Sequence, residues 1–463
     1  MYAKSPKIKV EKQITLVITQ RQNLRTWVYQ GLLDSLADRF KVTLYIPEQL
    51  SDLGLNNAKV NVIHWRVNNN AYWERITHFL TLTRHRHYKS YAERIKRSLL
   101  DEKMFDNRVD FSFNLLKSFK RKPMLYLLHL KLIFRLVEFF HERHISRHLL
   151  KNVPKSSVHL VVVSLSDYVT SILLASLRSE GCHIVQIVDN WDNLSSKLCP
   201  VYSPDKIIVW SEQTKKHAVE IHEASASQVL ILGSPRFPNR RIIDSLVRHH
   251  ERDIKPGDKK VRIFYAGFFS ECNNLDSILE LFGEIESKLE MYQFQFIFRP
   301  HPMNLPHKRI SEHHHLKISN LEIEEPFIDE KNTSGWPLFS ESLYTGLLDS
   351  DVVIVSPSTF LLEALLFNKR IILDNRDCSL HYNSPRRHFL QNNHLDEIIL
   401  SSTIPRINNT NEAPQILLES LANEMKASET LKDYLIYNDD QDYAKRLEDF
   451  VSLEIQEIQK PYP

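Results

Sequence analysis

Short, almost unbroken apolar runs recur along this chain, with helical spacing between them, and that alternation limits the folds open to it. "ITLVIT" (Ile14 to Thr19) leads through "LRTWVYQGLLDSLADRF" to "KVTLYIP". Strand, helix, strand is the unit of a parallel sheet. "HLVVVS", "HIVQIVD", "KIIVWS" and "QVLILGSP" continue the series to Pro235. Runs that do not alternate with polar residues suit strands covered on both faces. The pattern breaks at a polar segment, His249 to Lys260, which reads as a linker. It then restarts with "VRIFYAG", "FQFIFRP", "LEIEEP", "DVVIVSP" and "RIILD".

A chain of 463 residues exceeds one ordinary core, so two domains are expected. The fold class predicted is α/β, with two successive Rossmann-like, doubly wound halves. Residues 1–250 form the first half, 258–430 the second, and 431–463 a C-terminal helical segment. Residues from about 72 to 155 form a helical insertion in the first half. Between Arg84 and Lys155 this insertion carries 18 Lys/Arg against 7 Asp/Glu. It contains "MLYLLHLKLIFRLVEFF" (Met124 to Phe140), where Lys131, Arg135 and Glu138 interrupt the apolar run. Such a run does not span a bilayer. It suits a helix lying in an interface, cations toward anionic headgroups, or a core helix with a solvated basic face.

Several function classes drop out. The chain has 9 glycines and neither a G-x-G-x-x-G nor a G-x-x-x-x-G-K-[ST] stretch, so the familiar glycine cradles for phosphate are missing. A net charge of +3 argues against a dedicated nucleic-acid binder. The 4 cysteines are scattered with no C-x-x-C pair, which fits a reducing cytoplasm and neither structural zinc nor a disulfide framework. No secretory signal pattern opens the chain and no long uncharged apolar run occurs. The His313 to His315 run reads as solvated, and the acidic cluster before Tyr443 as a helix cap.

Ligands of doubly wound sheets bind beyond the carboxyl ends of the strands, so the strand ends hold the candidate site. "FIFRPHPMN" ends a strand on Arg299 and His301, held between prolines that restrict the backbone. Arginine offers a permanent planar fork, and histidine a donor that can also carry a proton. "DVVIVSPSTFLLEALL" ends a strand on Ser358 and Thr359 ahead of an apolar helical run, with Ser358 as N-cap. Glu363 on that helix is placed to accept from ribose hydroxyls or to form an ion pair. Arg236 in "GSPRF" and Gly267 after "VRIFYA" complete the donor-side candidates. In the first half, "QIVDNWDNLSSK" puts Asp189 at a strand end and Asp192 in the following loop beside Trp191. Either carboxylate is a candidate general base, or else an ordinary turn residue.

Together these residues resemble the GT-B glycosyltransferases of bacterial surface-carbohydrate synthesis. One branch comprises the CDP-glycerol glycerophosphotransferase-like proteins, and another the CMP-sugar-using sialyl- and Kdo-transferases. His301-Pro302 and Ser358-Thr359 match their His-Pro and Ser-Ser/Thr motifs. Trp191 to Lys197 resembles the glycerophosphotransferase Trp-His-Gly-Thr-Pro-Leu-Lys stretch, and Gly233 to Arg236 its Gly-x-Pro-Arg-x-Asp stretch. Asp192 stands where that branch has its histidine, and Pro238 where it has aspartate, which favours a transferred sugar over glycerol phosphate. The resemblance implies a GT-B fold, two domains facing a cleft, and a metal-independent inverting transferase using a cytidine or other pyrimidine nucleotide donor. Its acceptor is a surface glycan, of the capsule or lipopolysaccharide kind, or a lipid-linked molecule. The expected place is the cytoplasm, peripheral on the inner membrane face, with an anionic membrane surface as further partner. No cofactor, metal or nucleic acid is implied. Alternatives are a CDP-glycerol- or ribitol-type polyol-phosphate transferase, a UDP-sugar 2-epimerase-like enzyme, and a non-catalytic nucleotide-binding protein.

Overall fold

The computed structural model describes residues 12–29, 31–53, 59–66, 71–85, 87–88, 90–91, 131–150, 153, 156, 158–163, 168–197, 204–250, 260–267, 275–300, 318, 320–324, 341–377, 385–423 and 429–460. They form two parallel sheets, in two compact units. The first unit comprises Met1–Val209, Lys215–Pro235 and Asp442–Pro463, and the second Trp210–Thr214 and Arg236–Gln441.

The first sheet has the order β3-β2-β1-β4-β5-β6-β7: β1 (Gln13–Ile18), β2 (Lys41–Pro47), β3 (Val60–Trp65), β4 (Val158–Val163), β5 (Ile184–Val188), β6 (Lys206–Val209) and β7 (Val229–Ile231). Its strand ladder is parallel throughout. The apolar runs are continuous because both faces are buried. Ile14, Leu16 and Ile18 of β1 point to one core with Leu160 and Val162 of β4, whereas Val17 joins Val161 and Val163 in the other. The first core is covered by α1 (Arg21–Tyr29) and α2 (Leu32–Arg39), and the second by α5 (Tyr168–Ser179) and α7 (Glu212–Glu220). The sequence predicts one helix over the α1–α2 stretch. Gly31, at φ 69°, turns the chain left-handed and splits it in two.

The basic insertion lies between β3 and β4. Its described helices are α3 (Ala71–Arg84) and α4 (Lys131–Arg147). A short helix, α6 (Asn193–Ser196), follows β5. Among the described residues no helix is long and apolar enough to cross a membrane.

The second sheet has the order β10-β9-β8-β11-β12-β13: β8 (Lys260–Ala266), β9 (Gln293–Arg299), β10 (Leu321–Ile323), β11 (Val352–Val355), β12 (Arg370–Asp374) and β13 (Arg406–Ile407). This is the 3-2-1-4-5-6 order of the dinucleotide-binding folds, again with parallel ladders only. α9 (Leu275–Lys288) and α14 (Ala413–Ala422) cover one face of its core. α10 (Glu341–Leu348), α11 (Phe360–Leu366), α12 (Pro385–Gln391), α13 (Asp396–Leu400) and α15 (Glu429–Leu435) complete the unit.

Two boundaries differ from the sequence reading. α8 (Arg240–His250) extends into the polar segment expected as a linker, whose residues 251–259 lie outside the described ones. α8 groups with the second unit because its ends are tied there: the Arg240 N–H donates to the Asp439 carbonyl (2.8 Å), and His250 Nδ1 meets Asp349 Oδ1 at 2.7 Å. The last helix, α16 (Tyr443–Ile458), is part of the first unit and not a separate appendage. Leu447, Phe450, Val451 and Ile455 enter the first unit's core. Glu448 pairs with Arg39 at 3.0 Å, and Glu454 with His183 at 2.8 Å.

Candidate functional site

Arg236 apart, each unit brings its candidate residues to the carboxyl ends of its own strands. In the second unit, Arg299 is the last residue of β9, and the Gly267 N–H just beyond β8 donates to its carbonyl at 2.9 Å. The Arg299 side chain is held from three sides. Nε donates to Glu324 Oε2 at 2.6 Å, and Nη2 lies 2.5 Å from the same oxygen. The guanidinium carbon sits 5.1 Å from the Phe264 ring centre and 5.4 Å from that of Phe360. Those two rings stack on each other at 5.2 Å with 9° between their planes. Planar stacking of this kind suits arginine and not lysine. Glu324 can come this close because α10 presents Gly346: a Cβ there would lie 2.9 Å from Glu324 Oε1 and 3.2 Å from Phe264.

Arg236 approaches the same region from the turn after β7, where Gly233 takes φ 81°. Its Nη2 lies 3.7 Å from Glu363 Oε1. Glu363 is buried on α11, and burial pushes its carboxyl pKa upward against the opposing pull of Arg236 and Arg299. Tyr344 is enclosed beside it; burial, then the charge of Glu363, drives its hydroxyl pKa well above the ordinary value. The result is two guanidinium groups within electrostatic reach of one buried carboxyl, Arg236 in contact with it and Arg299 paired with Glu324, a concentration of positive charge suited to an anion.

The structure revises the reading of Ser358. The N-cap position of α11 belongs to Thr359, without a side-chain cap, and the helix has only 7 residues. Its first turn is closed by the backbone: the Ser358 carbonyl accepts from the Leu361 N–H at 3.1 Å, and Thr359 from Leu362 at 3.0 Å. The Ser358 hydroxyl is sequestered with no hydrogen-bond partner among the described residues. His301 and Pro302 lie outside the described residues.

One cluster went unread in the sequence. Asp374, ending β12, accepts from Tyr265 (2.6 Å) and from both Nε and Nη2 of Arg376 (2.9 Å each). Tyr265 also meets the Ser356 hydroxyl at 3.0 Å, and Arg376 reaches on to the Ser277 carbonyl at 3.0 Å. These four side chains are essentially buried. They lock the ends of β8, β11 and β12 to the first turn of α9. Burial, and next the charge of Asp374, hold the Tyr265 hydroxyl protonated. The available signal was the one already in use, a polar residue at each strand end. Glu324, at the end of β10, carries the same signal.

In the first unit, Asp189 follows β5 and its N–H donates to the Val163 carbonyl at 3.2 Å. Asp192 takes the N-cap position of α6, a short helix where the sequence predicts a loop. Its carbonyl accepts from the Ser196 N–H and hydroxyl, both at 2.9 Å. Its carboxylate makes no capping bond and instead meets Lys197 Nζ at 3.0 Å. Trp191 beside it is buried. Asp189 lies within electrostatic reach of Tyr443 at the start of α16. Burial raises that hydroxyl's pKa, Arg446 opposes the shift, and the Asp189 charge adds to it. The α6 segment is held by its own backbone: the Leu194 carbonyl accepts from Tyr91 (3.0 Å) and from His222 Nε2 (2.7 Å). Among the described residues, no group of three His, Cys, Asp or Glu side chains is arranged to hold a metal ion.

The chain matches no protein-family model and no curated protein. Solved structures of similar overall course exist. A UDP-GlcNAc 2-epimerase from Methanocaldococcus jannaschii is 9% identical, with 95% of this chain and 99% of that one covered and a TM-score of 0.45. A glycosyltransferase from Rickettsia africae is 12% identical, with 98% and 100% covered and a TM-score of 0.41. The wall teichoic acid polymerase TagF is 8% identical, with 97% and 90% covered and a TM-score of 0.45. The two parallel sheets and their strand orders carry the fold assignment by themselves: two Rossmann-like units in one chain, the make-up of the GT-B class.

Proposed function

We propose that this chain is an inverting glycosyltransferase that uses a nucleotide-activated sugar, with a cytidine or other pyrimidine nucleotide favoured. Its acceptor is a hydroxyl of a bacterial surface glycan or of its lipid-linked precursor, met at the inner face of the cell membrane. The observation that carries the reading is the pair of arginines near the buried Glu363: Arg236 meets its carboxyl at 3.7 Å, and Arg299, paired with Glu324 at the carboxyl end of β9, lies within electrostatic reach of it. A leaving nucleotide gains negative charge on its phosphate as the bond to the sugar breaks, and fixed cations stabilise that charge most in the transition state. Arg236, Arg299 and His301 are the cations assigned to it, with the Thr359 hydroxyl beside them. Glu363 accepts from the ribose hydroxyls.

The chemistry is a single displacement. Asp192, or else Asp189, takes the proton from the acceptor hydroxyl. The acceptor oxygen attacks the anomeric carbon from the face opposite the nucleotide. The bond between that carbon and the phosphate oxygen breaks, and the nucleotide departs with the electron pair. The configuration at the anomeric carbon inverts. Because the arginines supply positive charge, no step is assigned to a metal.

Titration calorimetry with CMP, CDP, UDP and GDP tests the donor half. A cytidine nucleotide is expected to bind best. Arg299→Ala and Arg236→Ala should each weaken it at least about tenfold, since a charge-assisted hydrogen bond contributes roughly 1.5–3 kcal/mol. Unchanged affinity in both folded variants overturns the assignment. Release of free nucleotide from a sugar donor only when an acceptor is added separates transfer from 2-epimerisation, which consumes no acceptor.

A further inference from the structure

α4 has two sharply different faces. Successive residues turn about 100° around a helix, so His141, Ile145 and Phe134 share one side. That side is packed: His141 Nε2 meets the Thr77 hydroxyl at 2.7 Å, and Ile145 is buried against Tyr168 and Ile172. His144, on its margin, stacks on Trp73 at 3.9 Å and meets the Tyr168 hydroxyl at 2.8 Å. The opposite side is bare. Leu132 is 72% exposed, Leu136 49%, Phe139 53% and Phe140 60%. Arg143 and Arg147 are exposed on the same side, interleaved with these four, and Arg135 is exposed at the edge of the stripe. Acidic groups stand off that stripe. Glu138 faces Arg84 and is paired with it, and Glu142 lies at the flank.

Scattered exposed apolar residues are ordinary, but four on one helical face are not. We propose that this face of α4 docks the chain on an anionic phospholipid bilayer. The charge pattern selects that occupant. The apolar side chains insert at the boundary between headgroups and acyl chains, and the arginines among them meet lipid phosphates. A second copy of the same face would set Arg135, Arg143 and Arg147 against like charges, which disfavours self-association. The surrounding sequence, with 18 Lys/Arg against 7 Asp/Glu from Arg84 to Lys155, adds attraction of the same sign. The inference stands whether or not the transferase reading holds, because it uses none of the site residues.

Flotation of the full chain decides it. Binding to vesicles containing phosphatidylglycerol is expected to exceed binding to pure phosphatidylcholine, and to weaken as salt rises. Two variants remove the two ingredients separately. Arg135→Glu/Arg143→Glu/Arg147→Glu should lower partitioning on the order of 100-fold. Phe139→Ser/Phe140→Ser should abolish stable binding at low and high salt alike. Both alter only exposed side chains of α4, so an unchanged thermal transition is expected. Equal binding to the two kinds of vesicle, absence of binding to either, or parent-like binding by a folded Phe139→Ser/Phe140→Ser variant overturns the proposal. A dimer of the parent chain in sedimentation that this double variant separates would also overturn it, reassigning the face to self-association.

Discussion

Asp192 and Asp189 lie three residues apart but have different neighbours, and that difference makes their roles separable by substitution. Asp192 is tied to Lys197 and rides on α6, while Asp189 sits at the end of β5 within reach of Tyr443. Asp192→Asn keeps the shape and most hydrogen bonding but cannot take a proton. Turnover is expected to fall about 100-fold to 10,000-fold, with cytidine-nucleotide affinity unchanged in calorimetry. Asp189→Asn is the counterpart. If only Asp189→Asn loses turnover, the base is Asp189. Near-normal turnover in both leaves the first unit without a base among these two residues. Asp374 offers a contrast on the structural side. Asp374→Asn leaves the buried Arg376 without its charged partner, a change that typically costs about 3–5 kcal/mol. A large drop in melting temperature is the expected readout.

At the level of elements, two segments depend on single positions. Gly31 holds the turn between α1 and α2 at φ 69°, with nothing within 4 Å of where a Cβ would lie. The cost of Gly31→Ala is therefore conformational and not steric, about 1–2 kcal/mol in chemical denaturation, and Gly31→Asn should recover part of it. α6 is positioned by Tyr91 and His222 through the Leu194 carbonyl. Tyr91→Phe should lower turnover several-fold while leaving nucleotide affinity alone, because it loosens the element carrying Asp192 without touching the second unit's cations. The short apolar runs read as strands in the sequence are strands, since burial on both faces leaves a continuous apolar record. β3 and β13 escaped notice for physical reasons. β3 is an edge strand whose exposed Asn61 and His64 interrupt the run, and β13 has 2 residues. Arg236 and Arg299 were legible as polar residues at strand ends, and Glu363 as a carboxylate on the helix that follows one. Glu324 and Arg376 carried the same strand-end signal unread, whereas Tyr344 carried none, because its importance comes from burial beside Glu363 and Arg236. Whether Ser358 or Thr359 caps α11 turns on backbone geometry that either residue type permits.

Across the whole molecule, buried histidines set the expected response to acid. His85, His141 and His222 all belong to the first unit. His85 is lowered from 6.5 to about 3, by burial first and then by the charges of His222 and Arg84. His222 is lowered to about 4, mainly by burial, against its bond to the Leu194 carbonyl and with Arg84 adding to the shift. His141 is lowered to about 4, by burial and by neighbouring His144, with Glu138 opposing and Arg84 adding. In the unfolded chain each binds a proton near 6.5, so between about pH 6 and pH 4 the unfolded state holds more protons than the folded one. Stability is therefore complete above about pH 6.5 and is lost as the pH falls toward these depressed values. At pH 5 each such histidine costs about 2 kcal/mol, with coupling between His85 and His222, whose rings are 4.7 Å apart, making the sum non-additive. Calorimetry from pH 7 down to pH 5 should show a falling transition temperature and net proton uptake on unfolding. His85→Gln retains a polar donor but cannot titrate, so it should reduce that uptake at pH 5 by about one proton and flatten the decline. An undiminished proton uptake in this variant would mean that His85 is already protonated in the folded chain, and that its burial among His222, Arg84 and Tyr91 does not control the acid response.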